Sequence, residues 1–145
     1  MTRSFSQTTS GVPPFSEIRL STGPGYLVKG LIPRTGLVVI WGAPKTGKSF
    51  VTSDIALHVA LGWPYRGRRV QHGTVVYCAL EGADGFRARA EAFRLHHDLA
   101  ADAEVPFHLI AMPIALAADA DALIASIRKA LGSVAPAAVV VDTLN

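Results

Sequence analysis

With 145 residues, half of them hydrophobic and 17% charged, the chain is long enough for one domain with a proper core and too apolar for wholesale disorder. Fourteen basic against 11 acidic residues give a formal charge of +3, an excess too small and scattered to argue by itself for a polyanion-binding protein. A single cysteine, Cys78, excludes an internal disulfide framework, no apolar run is long enough to span a membrane and no signal-peptide h-region opens the chain, so the expectation is a soluble cytoplasmic protein with no membrane partner.

Residues 1–16, rich in Ser, Thr, Pro and Gln, read as a flexible tail, and residues 17–145 as one domain. Residues 17–35 carry short apolar pieces broken at Gly23-Pro24-Gly25 and at Ile32-Pro33, the pattern of a lead-in segment packed on the domain edge. Residues 36–41, Gly-Leu-Val-Val-Ile-Trp, form a continuous apolar run with β-branched members and predict a strand buried on both faces. A Gly-rich turn follows over 42–47. From Lys48 to about Leu61 the pattern becomes helical, with Val51, Ile55 and Val59 four apart, until Gly62 and Pro64 stop it.

Residues 62–73 make a basic loop in which Arg66, Arg68 and Arg69 lie beside Trp63 and Tyr65. Such a loop is either simply solvated or turned toward nucleic acid or a neighbouring subunit. Residues 74–80 predict a second buried strand, where Cys78 reads as a small hydrophobe. A helix is expected over 84–99 with Asp84 as its N-cap. On it, one of Arg87 and Arg89 could face a nucleotide, or Arg87 could simply pair with Glu91 four residues on. His96 and His97 are too closely spaced to share a metal on one helix face, and zinc is not expected. A third strand is expected over 107–112. A third helix over 119–131 has Leu123, Ile127 and Leu131 on one face and Gly132 as its stop, and a fourth strand over 138–141 ends in Asp142. Strands alternating with helices imply right-handed βαβ crossovers, a mainly parallel sheet and the α/β fold class.

Gly42-Ala43-Pro44-Lys45-Thr46-Gly47-Lys48-Ser49 fits G-x-x-x-x-G-K-[ST] at every fixed position, between an expected strand and an expected helix. A triphosphate is a dense anion and must be surrounded by N–H donors. Glycines at 42 and 47 let the backbone approach without a Cβ in the way. Successive amides then form an anion-binding nest, and the N-terminus of the following helix adds its partial positive charge. Lys48 is expected to reach the β- and γ-phosphates and Ser49 to ligate Mg²⁺, which makes Mg·ATP the expected ligand.

Two acids complete the pattern. Asp142 ends an apolar strand, and an aspartate there holds the Mg²⁺ shell in P-loop proteins; the alternative is an ordinary turn residue. Glu81 follows the 74–80 strand and would face the phosphate end of the sheet, where a carboxylate can orient the attacking water and accept its proton. Its alternative role is a helix N-terminal acid held by the dipole.

Taken together, residues 26–33, 36–49, Val75 to Glu81-Gly82 and Val139 to Asp142-Thr143-Leu144 resemble the RecA-like AAA ATPases of the RepA replicative-helicase type, over roughly residues 24–145. The strand ending in Glu-Gly and the Asp-Thr-Leu run narrow the resemblance beyond the P-loop itself. It implies a three-layer α/β/α P-loop NTPase fold, with Lys48 and Ser49 as the phosphate and metal residues, Glu81 as catalytic glutamate and Asp142 as the metal-side aspartate. It also implies ring assembly with ATP at subunit interfaces, an arginine supplied by a neighbour, single-stranded DNA as a partner, and a role in replicating a plasmid, phage or mobile element. Members have further strands after the one ending at the metal-side aspartate, so the chain reads as the first part of such a domain, incomplete at its C-terminus. A nucleotide-binding module without turnover is the rival reading. A small-molecule kinase would need an arginine-bearing lid and a substrate pocket, and neither is visible.

Overall fold

The computed structural model describes residues 15, 25–80, 83–111 and 116–142. The fold is organised around β3 (Val75–Ala79), all five residues of which are buried. β3 pairs in parallel with β4 (Phe107–Ile110) on one side and with β5 (Ala138–Asp142) on the other, giving the order β4-β3-β5. A central parallel strand has no solvated face, which is why its sequence is unbroken Val-Val-Tyr-Cys-Ala rather than an alternation of polar and apolar residues.

The alternation of side chains along a strand divides the core in two. Val75, Tyr77 and Ala79 pack with Ile55, Ala56, Val59 and Ala60 of α1 (Lys48–Leu61) and with Phe86 of α2 (Ala83–His96). Val76 and Cys78, with Leu80 just beyond the strand, pack with Leu123 and Leu131 of α3 (Leu116–Leu131). The expected apolar spacing thus places Ile55 and Val59 of α1 and Leu123 and Leu131 of α3 in the core, with Ile127 packed against it, whereas Val51, at the start of the α1 series, is exposed. α3 begins at Leu116, ahead of the expected start at residue 119. α2 begins at Ala83, so Asp84 lies in its first turn, not at its N-cap, and it ends at His96, short of residue 99.

α1 ends where expected: Gly62 takes the left-handed conformation (φ 68°) and turns its N–H back to the carbonyls of His58 and Val59. Ahead of the core, β1 (Tyr26–Val28) and β2 (Ile32–Pro33) form a small antiparallel hairpin. It is fastened to the basic loop by Lys29 N–H to Arg69 O (2.9 Å) and Gln71 N–H to Leu27 O (2.8 Å). Leu27 and Val28 are buried, so this lead-in is part of the core. The expected tail and the first part of the lead-in lie outside the described residues, apart from Phe15, as does Met112 at the end of the expected third strand.

Residues 36–41 depart from expectation. They are not a buried strand: they join no ladder among the described residues, and Leu37 and Trp41 are 88% and 91% exposed. An apolar β-branched run signals what a segment favours, but a strand exists only when a neighbour accepts its N–H and C=O groups. Here both edges of β3 are taken by β4 and β5, and no described strand pairs with the run.

Cys78 sits fully buried in the middle strand, and burial pushes its thiol up from the ordinary value. The thiolate is the reacting species, so the native protein should react with a disulfide reagent orders of magnitude more slowly than free cysteine and become fully reactive in urea. Time-resolved thiol titration checks this; rapid reaction without denaturant would mean that β3 is not covered by the elements assigned to it.

Candidate phosphate-binding site

The loop 42–49 turns sharply between the extended run and α1. Lys45 (φ 62°) and Gly47 (φ 86°) both adopt the left-handed conformation, which turns successive backbone N–H groups toward one concavity. A Cβ at Gly42 would crowd Thr46 Oγ1 at 3.1 Å, so a side chain there would push on the hydroxyl that braces the loop. Thr46 braces the loop by donating to Ala43 O (2.8 Å). Gly47 is the N-cap of α1, and its carbonyl accepts from Phe50 and Val51. No side chain caps this helix end. The N–H groups of Lys48 and Ser49, ahead of the first bond to the Gly47 carbonyl, have no acceptor within the helix and are open to an anion.

Lys48 and Ser49 point to different partners. Lys48 Nζ donates to the carbonyls of Gly42 and Ala43, both at 2.9 Å, so the ammonium rests on the loop's own oxygens. Ser49 Oγ donates to Asp142 Oδ1 at 2.9 Å. This bond joins the first residues of α1 to the last residue of β5, 93 positions away in sequence. The parallel ladder makes the meeting possible: β5 runs alongside β3 in register from Val75↔Ala138 to Ala79↔Asp142, and its carboxyl end arrives beside the loop.

Asp142 has further partners on its other oxygen. Tyr77 donates its hydroxyl to Asp142 Oδ2 at 2.6 Å, and Arg89 Nη2 lies 3.9 Å from the same oxygen. Burial and the hydrogen bond to Asp142 raise the Tyr77 phenol above its ordinary value, which keeps it a donor. The Arg89 guanidinium lies over the rings of Phe50 and Phe86 (5.4 and 5.9 Å), and its Nε is buried with no partner among the described residues.

Loop 42–49 and Asp142 thus converge as the sequence led one to expect. Glu81 lies outside the described residues. Of the two α2 arginines considered for the nucleotide, Arg89 faces the site, while Arg87 donates to Asp84 (3.2 Å) and not to Glu91, whose partner is Arg94. Tyr77 is the residue that sequence reasoning missed. The signal available was a phenol inside an otherwise apolar buried strand, because a buried tyrosine hydroxyl requires a partner.

Among the described residues no group of three or more His, Cys, Asp or Glu could hold a metal ion, and no helix is long and apolar enough to cross a membrane. A family model described as an AAA domain matches residues 20–145. No curated protein and no solved structure matches the chain.

Because Asp142 is nearly buried and shared by three side chains, removing it strands the Tyr77 hydroxyl and Arg89 together. Asp142→Ala should cost about 3 kcal/mol, whereas Ser49→Ala, which removes one partly exposed donor, should cost about 1 kcal/mol. Urea unfolding midpoints of the two variants against the parent check the order; equal costs would mean that the buried side of Asp142 contributes nothing.

Proposed function

The chain belongs to the AAA domain family, and from that premise we propose that it is a P-loop ATPase which binds Mg·ATP on loop 42–49 and hydrolyses the γ-phosphate. The observation that carries the reading is the Ser49–Asp142 hydrogen bond, which sets a hydroxyl and a carboxylate side by side at the amino end of α1. The two are the hard oxygen donors that Mg²⁺ takes when it is held mainly by phosphates and water. Ser49 and Asp142 would hold Mg²⁺ on the protein side, and the metal would supply positive charge against the charge that develops on the phosphates.

The chain's own groups do the remaining work. Lys48 exchanges the carbonyls of Gly42 and Ala43 for β- and γ-phosphate oxygens. The backbone N–H groups of residue 43 and residues 45–49 surround the phosphates, Pro44 having none to give, and the amino end of α1 supports their charge. Ser49 can keep its proton on Asp142 while its oxygen lone pairs turn to the metal. Glu81 orients the attacking water and accepts its proton. Support for that role comes from the preceding residue, Leu80, which donates its N–H to the Asp142 carbonyl at 2.8 Å and so lies at the end of the sheet that carries Asp142. The fold around this site is proposed to be the three-layer α/β/α arrangement of RecA-like proteins. The RepA replicative-helicase resemblance extends the proposal to ring assembly, single-stranded DNA and replication of a mobile element.

One observation favours a second reading, nucleotide binding without turnover. The run 36–41 that leads into the loop is exposed and joins no ladder among the described residues, so the loop is held from its C-terminal side, through α1 and the Ser49–Asp142 bond, and no strand fixes its other end.

Steady-state hydrolysis and nucleotide binding, measured in parallel on the parent, Lys48→Ala and Glu81→Gln, separate the two. Lys48→Ala should weaken triphosphate binding by roughly tenfold or more. Glu81→Gln should lower turnover by about two to three orders of magnitude while sparing binding. Unchanged binding in Lys48→Ala would overturn the phosphate site; Lys48-dependent binding with no turnover in any form would favour the second reading.

A further inference from the structure

Tyr77 has no place in the chemistry just described, yet its surroundings fix it more tightly than any group in the site. It is fully buried in the central strand. Its ring lies 4.5 Å from that of Phe86 and 6.0 Å from that of Phe107, the latter a near-parallel stack at 25°. The ladder sets Tyr77 opposite Val140 and Ala79 opposite Asp142. Tyr77 and Asp142 are therefore diagonal neighbours on adjacent strands, a separation that a long aromatic side chain spans. With the ring held, the hydroxyl has one carboxylate oxygen to meet, Oδ2 of Asp142 at 2.6 Å. The opposite oxygen, Oδ1, is then presented to Ser49.

We propose that Tyr77 is a positioning residue for the metal–triphosphate complex: by engaging Oδ2 it sets the rotation of the Asp142 carboxylate, so that Oδ1 and the Ser49 hydroxyl hold the metal side of the site. The proposal rests on the reading of loop 42–49 as a Mg·ATP site. Tyr77 touches neither nucleotide nor metal and acts through Asp142. Outer partners of metal-holding carboxylates typically change metal affinity by about 10- to 100-fold when removed. An ordinary buried hydrogen bond would change stability alone.

The test measures binding of a non-hydrolysable ATP analogue to the full chain by calorimetry, once with Mg²⁺ and once with a chelator, in the parent and in Tyr77→Phe. The variant keeps the ring and removes only the hydroxyl. The expected result is a loss of about tenfold in the affinity that Mg²⁺ adds, with chelator-state binding unchanged. If Tyr77→Phe retains the whole Mg²⁺ increment, the positioning role is wrong and the site reading stands. If the parent binds no triphosphate, or binds it equally with and without Mg²⁺, the site reading fails and the proposal goes with it. The same comparison in an Asp142→Asn background removes the carboxylate that Tyr77→Phe would leave short of a donor, and so keeps the test open should the single variant fold poorly. There Tyr77→Phe should cost no further Mg²⁺-dependent affinity; a further loss would place the effect of Tyr77 outside Asp142 and overturn the proposal.

Discussion

The parallel pairing of β3 with β5 is the constraint on which the rest depends. Five residues of β3 are matched to five of β5, ending at Ala79↔Asp142, and this register decides where a carboxylate 93 positions from Ser49 comes to rest. A one-residue slip would move the Asp142 side chain to the other face of the sheet. The Ser49 and Tyr77 hydrogen bonds and the approach of Arg89 would then all be lost. The buried apolar set of β3 opposes such a slip, since the face holding Val75, Tyr77 and Ala79 and the face holding Val76 and Cys78 are committed to different helices.

The site is built at the junction of rigid and turned backbone. α1 supplies the open N–H groups of its first turn, and the left-handed residues Lys45 and Gly47 aim the loop. The sheet supplies Asp142. Between them the contacts are short and charge-assisted on one side, at Lys48 with its two carbonyls, and mostly buried on the other, at Asp142. A half-buried cation held only by carbonyls that it can exchange, beside a mostly buried carboxylate that cannot move, is an arrangement suited to receiving a polyanion. In the proposed binding step the ammonium would give up carbonyl oxygens for phosphate oxygens while the carboxylate stays where the sheet holds it.

The exposed run 36–41 shows where local pattern ceases to decide structure. Its composition is as apolar and β-branched as that of β3, yet β3 is buried throughout while Leu37 and Trp41 stand almost fully exposed. The two segments differ in neighbours. β3 has a ladder on each edge and a helix layer against each face; the run has no ladder among the described residues. The contrast between Arg87 and Arg89 has the same origin. Both follow the same strand on the same helix, but only Arg89 lies on the side turned toward β5, and Arg87 is left to an exposed pair with Asp84.

The sequence by itself determined the local chemistry of this protein. The spacing of Gly42, Gly47, Lys48 and Ser49 dictates a loop that only small residues and left-handed backbone can close. The apolar run at 75–79 dictates a buried strand, and Gly62 dictates the end of α1. These are short-range properties of backbone conformation and hydrophobic period. The order β4-β3-β5, the exposure of residues 36–41, the choice of Arg89 over Arg87 and the engagement of Tyr77 with Asp142 were decided only by tertiary structure. Each depends on which element lies alongside which, and a hydrogen-bond donor or an apolar surface in a sequence carries its requirement without the identity of its partner.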